Sequence, residues 1–148
     1  MSPPLLNVKT HIDENYANDE DIKIEIHRKI NEVDSLSKFK EVKKELEDRF
    51  GKITKDMEIY MYEEWFEKLA TKLPIRRVIE NKNNVSLILD KETVLKYSAD
   101  ILFVKSFEVS DYFRFKKIGD NLEIILDLLH LDKHPVYYLV EFLEKVLN

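Results

Sequence analysis

The apolar residues of this chain recur at two different periods, and the period changes sharply at Pro74. From Ile22 to Leu73 they fall three and four apart; directly after Pro74 they alternate. The first spacing buries one stripe of a helix and the second buries one face of a strand. A run of helices must therefore be followed by hairpins. Ile22, Ile26, Ile30 and Val33 form one stripe, with Asn18 or Asp19 placed to cap a first helix. Asp34 or Ser35 caps a second, which carries Phe39, Val42, Leu46 and Phe50 and stops at Gly51, where a left-handed residue is needed. A third runs from Thr54 to Leu73, with Thr54 as cap, Asp56 in the first turn and Pro74 as the stop. Ahead of these, residues 1–5 read as an extended leader opened by Pro3 and Pro4. Leu6 and Val8 alternate as in a short strand that can reach His11.

Beyond Pro74, Arg77 to Ile79, the turn Asn81-Lys82-Asn83-Asn84, and alternating Val85, Leu87 and Leu89 predict a hairpin. One helix is expected between Glu92 and Val109, with poorly marked ends. Phe113 and Phe115, the turn Gly119-Asp120-Asn121, and alternating Leu122, Ile124, Leu126 and Leu128 predict a second hairpin. A last helix carries Val136, Leu139, Val140 and Leu143, with Pro135 in its first turn. The order predicts an α+β fold: a mostly antiparallel sheet of short hairpins and about five helices, three of them consecutive near the N-terminus. A length of 148 residues fits a single domain over 1–148.

Composition narrows the chemistry. With no cysteine there are no disulfides, thiolate metal sites or cysteine nucleophiles, which suits a reducing cytoplasm. No apolar run approaches the roughly 18 residues of a membrane span, so no membrane partner is expected. No basic region precedes the N-terminal apolar patch, so a signal peptide is not expected. The net charge is −5, with 17 acidic against 13 basic residues up to Pro74. Asp13, Glu14, Asp19, Glu20, Asp21 and Glu25 make a negative cluster. Nucleic-acid binders cluster lysine and arginine; here they come in no more than short pairs, Arg76-Arg77 and Lys116-Lys117 among them. An acidic face suits a basic protein partner better than DNA.

The catalytic inventory is thin. Two glycines cannot supply a phosphate loop, and no Gly-x-Ser-x-Gly elbow occurs. His130 and His134 have the spacing of two zinc ligands, but Leu131-Asp132 and Pro135 put them at a strand-to-helix junction with no third ligand marked. They read as exposed polar residues, His134 near a cap. His27 reads as a surface or boundary residue. The pairs Glu63-Glu64 and Glu45-Asp48 read as solvated helix faces rather than catalytic carboxylates. Tyr60, Tyr62, Trp65 and Phe66 read as core rather than a base-stacking platform.

Three charged residues that the helical stripe does not use, Glu45, Asp48 and Arg49, lie three and four apart on one face. The plain reading is a solvated helix end. The functional reading is a docking face, where carboxylates accept bonds from a partner's arginines and Arg49 holds them in place. Phe50, next in sequence, is expected to anchor the helix in the core.

The run Glu45-Leu46-Glu47-Asp48-Arg49-Phe50-Gly51 carries the pattern Glu-Leu-x-Asp-Arg-Phe-Gly. Upstream lie the extended segment Leu6 to Ile12, Tyr16, and the charged and aliphatic helix Asp21 to Ile30. In these features the chain resembles the C-terminal domain of the bacterial transcription-repair coupling factor. The resemblance is dense from Tyr16 to Gly51 and one of pattern after residue 75. It departs at Asp13 and Thr54, where family members often have proline, at Lys23, often arginine, and at His27, often an aromatic.

The resemblance implies a domain excised from the C-terminus of a longer protein. That parent is an ATP-driven, Mg-dependent DNA translocase that displaces stalled RNA polymerase and recruits excision repair. The domain itself would be a non-catalytic, autoinhibitory monomer without a cofactor. It would dock on the parent's UvrB-like N-terminal module through Glu45, Asp48 and Arg49, masking the UvrA-binding surface. RNA polymerase, UvrA and double-stranded DNA would be partners only through the parent. The other readings are a stand-alone adaptor for a basic partner, or a small enzyme using His130 and His134 or a carboxylate pair.

Overall fold

A computed structural model describes residues 12–148; the leader and the short strand expected up to His11 lie outside the described residues. The elements are α1 (Glu20–Asn31), α2 (Leu36–Phe50), α3 (Lys55–Lys72), β1 (Arg77–Glu80), β2 (Asn84–Leu89), α4 (Lys91–Tyr97), α5 (Ala99–Val109), β3 (Phe113–Ile118), β4 (Asn121–Asp127) and α6 (Pro135–Leu147). Six helices and four antiparallel strands among the described residues make an α+β fold. The described residues separate into two compact units, one ending at Phe66 and the other running from Glu67 to Asn148.

In the first unit each helix starts where a side chain satisfies its free N–H groups. Asp19 Oδ1 accepts from Asp21 N at 2.8 Å and Ile22 N at 3.2 Å. Ser35 Oγ accepts from Lys38 N at 3.1 Å, and Thr54 Oγ1 from Met57 N at 3.1 Å. The stripes point inward: Ile26, Ile30 and Val33 meet burial with Phe39, Val42 and Leu46. Gly51 ends α2 at φ +93°, in the region that favours glycine. Tyr60, Trp65 and Phe66 are buried, as core residues.

One expectation fails on α3. Glu63, read as part of a solvated face, is only 3 % exposed. Buried residues occur almost all round this helix, at Met57, Tyr60, Met61, Trp65 and Phe66, so it has no broad solvent face for Glu63 to join. Glu64 is half-buried.

In the second unit the strand order is β1-β2-β4-β3. The two hairpins are joined by their inner strands, with Val85 opposite Leu126 and Leu87 opposite Ile124. One face carries the row Val85, Leu126 and Phe113, and Phe113 meets Phe142 of α6 at 5.2 Å between ring centroids. The other face of β2 is closed too, since Ser86 and Ile88 are also buried.

The segment from Glu92 to Val109 is two helices and not one. Asp90 caps α4, accepting from Thr93 N at 3.1 Å. The chain then breaks at Ser98, which takes φ +75° and serves both as the end of α4 and the start of α5. No glycine marks this break. Leu128, expected in the second hairpin, follows the end of β4. Its N–H donates to Asn83 O at 2.9 Å.

Candidate functional site

The charged end of α2 is built on a clasp between neighbouring helices. Glu25 and Lys29 stand four apart on α1, and Glu45 and Arg49 stand four apart on α2. The signs are swapped, so antiparallel helices match them twice. Lys29 Nζ lies 3.3 Å from Glu45 Oε2. Both terminal nitrogens of Arg49 donate to the Glu25 carboxylate, Nη2 to Oε2 at 3.2 Å. The fork geometry is the strong form of this pair. Hydrogen bonding to Arg49 holds the Glu25 carboxyl below the usual carboxylate range and raises the guanidinium further.

Arg49 therefore does not hold Glu45 and Asp48, as the sequence suggested. It reaches across to Glu25, because the α1–α2 crossing brings that carboxylate within reach of both its terminal nitrogens. Asp48 is exposed and has no hydrogen bond or ion pair among the described residues. One carboxylate is thus left open on a helix whose two neighbouring charges are braced.

The expected core role of Phe50 also fails. Its ring is partly exposed, with the Arg49 guanidinium 4.7 Å above it and the Tyr16 ring 6.1 Å away. Leu46, one turn earlier, takes the buried place. Tyr16 completes the corner: its hydroxyl lies 3.2 Å from Leu46 O and 3.0 Å from Gly51 O, two carbonyls at the helix end. Burial, and then Glu47, push the Tyr16 phenol up. Sequence reasoning missed Glu25 and Lys29 as partners. The swapped Glu25/Lys29 and Glu45/Arg49 spacing could have indicated them.

The other candidates are scattered. His134 is the N-cap of α6: its Nδ1 accepts from Val136 N at 3.1 Å. Burial lowers its basicity, with Glu80 opposing. His130 instead stacks on Tyr112, ring centroids 5.2 Å apart. His27 is half-buried, its Nδ1 2.9 Å from the Tyr60 hydroxyl. Among the described residues no group of three histidine, aspartate or glutamate side chains is placed to hold a metal ion. No helix among them is long and apolar enough to cross a membrane.

Residues 6–99 match the family described as the TRCF domain, and the chain belongs to that family. The match ends where α5 begins. The fold is also similar to a solved structure described as the crystal structure of the C-terminal domain of transcription-repair coupling factor. That similarity has a TM-score of 0.81 and 22% identity, and covers 97% of this chain and 89% of the other. At that identity the likeness is one of fold, and it extends past the family match. Among curated proteins no relative matches the sequence.

Proposed function

We propose that this chain is the non-catalytic regulatory domain of a transcription-repair coupling factor, and that the end of α2 docks on the parent's UvrB-like module. In that role it masks the surface that receives UvrA and restrains the parent, an ATP- and Mg-dependent DNA translocase acting on stalled RNA polymerase. Residues 1–148 work as one monomeric module in the cytoplasm, meeting DNA and polymerase only through the parent. The observation that carries this reading is Asp48, an exposed carboxylate without an ion pair among the described residues, on a helix braced by the Glu25–Arg49 and Lys29–Glu45 contacts. A fixed carboxylate is suited to accept the fork of a partner's arginine. A largely polar contact also opens at modest cost, which suits a switch.

The docking residues are then unequal. Asp48 makes the contact, and Glu45 and Arg49 hold its surroundings. Calorimetric titration of the domain with the parent's N-terminal module tests this. Asp48→Ala should weaken binding by roughly 30-fold or more while shifting the melting temperature by no more than about one or two degrees. In the full-length parent it should raise basal ATPase and UvrA binding together. Unchanged affinity, or a variant that unfolds, would refute the assignment.

A further inference from the structure

Among the described residues an apolar open surface lies in the second unit, far in sequence from α2. Helix α5 buries Leu102 and Ser106, yet Phe103, Val104 and Phe107 on its other side are 43–56 % exposed. Phe103 packs edge-on against Phe107 at 4.8 Å and against Phe115 of β3 at 5.3 Å. The open face of α5 therefore adjoins β3. Among the described residues β3 pairs only with β4, and none of them pairs with its far edge. Tyr112 O accepts from Asp127 N, which makes Tyr112 and Asp127 a hydrogen-bonded pair. By the alternation of antiparallel ladders, the N–H and C=O of Phe113, Phe115 and Lys117 then point outward. This strand, Phe-Arg-Phe-Lys-Lys-Ile, holds three cations and no acid, in a chain of net charge −5.

We propose that the open edge of β3 and the adjoining face of α5 form a docking site for an extended acidic segment of a partner protein, which adds to the sheet as a fifth strand. Strand addition uses the outward N–H and C=O groups for affinity and alternate side chains for specificity. Residues of the segment on the Phe115 side meet Phe103 and Phe107 and should be apolar. Those on the other side meet Arg114 and Lys116 and should be acidic. Charge chooses this occupant over two others. A second copy of the chain pairing edge to edge would set Arg114, Lys116 and Lys117 against their own kind. A nucleic-acid strand needs a continuous cationic track. Here Arg114 lies 3.6 Å from Asp127, Lys105 lies 3.4 Å from Glu108, and Asp100 and Glu108 stand on the exposed side of α5. Lysines on an edge strand also discourage aggregation, but that role does not account for the exposed Phe103, Val104 and Phe107 beside them.

The probe is a fluorescein-labelled nonapeptide of alternating glutamate and valine, titrated into the 148-residue protein and followed by anisotropy and amide NMR. Saturable binding should shift and slow exchange at the Phe113, Phe115 and Lys117 amides. It should weaken at least tenfold in a peptide with lysine for glutamate, and likewise in one of the same composition with the alternation scrambled. Val104→Glu should weaken it tenfold or more by placing a like charge on the apolar face. Lys117→Pro should do the same by removing an outward N–H, a position where an edge strand tolerates proline. The far-UV spectrum of each variant checks that it is folded. Several results would overturn the proposal: no binding at millimolar peptide, equal affinity for the lysine or scrambled peptide, or shifts confined to other elements. So would tighter binding of a helical acidic peptide or of oligothymidylate at these residues, or self-association of the protein through this face.

Discussion

Leu46→Ala and Phe50→Ala, one helical turn apart, separate core from corner in the first unit. Leu46 is 1 % exposed, so its removal leaves an enclosed cavity and should cost about 2.5–5 kcal/mol. Phe50 is partly exposed, and its ring centroid lies 4.7 Å from the Arg49 guanidinium and 6.1 Å from the Tyr16 ring centroid. Complete burial of such a side chain stabilises by about 1.5–3 kcal/mol. Partial burial at a site that solvent can refill should bring Phe50→Ala to about 1–2 kcal/mol. That is below the 3–5 kcal/mol expected for a large core residue. Urea unfolding followed by fluorescence measures both, because the chain has one tryptophan, Trp65, and it is buried in the same unit. Far-UV dichroism recorded in parallel shows whether the two units unfold together, the condition for reading the midpoints as two-state free energies. A Phe50→Ala loss equal to or greater than that of Leu46→Ala would refute the assignment of Phe50 to the corner.

Two further outcomes follow from single residues. The half-buried His134 is less basic in the fold than free histidine, so the unfolded chain takes up its proton first. Its contribution to stability is complete above about pH 6.5 and is lost as pH falls through that value toward the folded one. The protonated ring also loses the acceptor that caps α6. His134→Asn, which keeps a capping oxygen, should flatten the melting-temperature profile between pH 7.5 and 5.5 relative to the parent sequence; parallel profiles would contradict the role. Ser98 holds φ +75°, a conformation L-residues rarely adopt. Ser98→Gly should therefore raise stability by about 1 kcal/mol, and a destabilised variant by urea titration would count against strain at this break.

Local chemistry was legible and crowding was not. Thr54 could be named as a cap, and Asp19 and Ser35 as one of two neighbours each, because a cap bonds to residues two or three ahead in the same segment. The hairpins showed through period-two patterns and the turns at 81–84 and 119–121. Ser98 was missed because its positive φ has no glycine or asparagine to announce it. Glu63 was missed because a carboxylate between Tyr62 and Glu64 looks solvated unless one knows that α3 is enclosed on most sides. At the candidate site the sequence supplied Glu45, Asp48 and Arg49. It did not supply Glu25 as the acceptor for Arg49: the swapped spacing on α1 and α2 permits that pairing, but the crossing of the two helices decides it.

The way the sheet is joined has a consequence during synthesis. Each hairpin is local, and both form within microseconds once their strands are available. The pairing that unites them is β2 with β4, and about 30 residues separate the end of one from the start of the other. At ribosomal speeds those residues take about 2–6 s to appear. Throughout that interval Val-Ser-Leu-Ile-Leu would present an unpaired edge with two apolar faces, the kind of strand that seeks any partner. The nascent chain is therefore most vulnerable to aggregation after β2 has emerged and before β4 arrives. Variants that slow the folding of α4 and α5 should lower soluble yield more than they lower the stability of the finished protein.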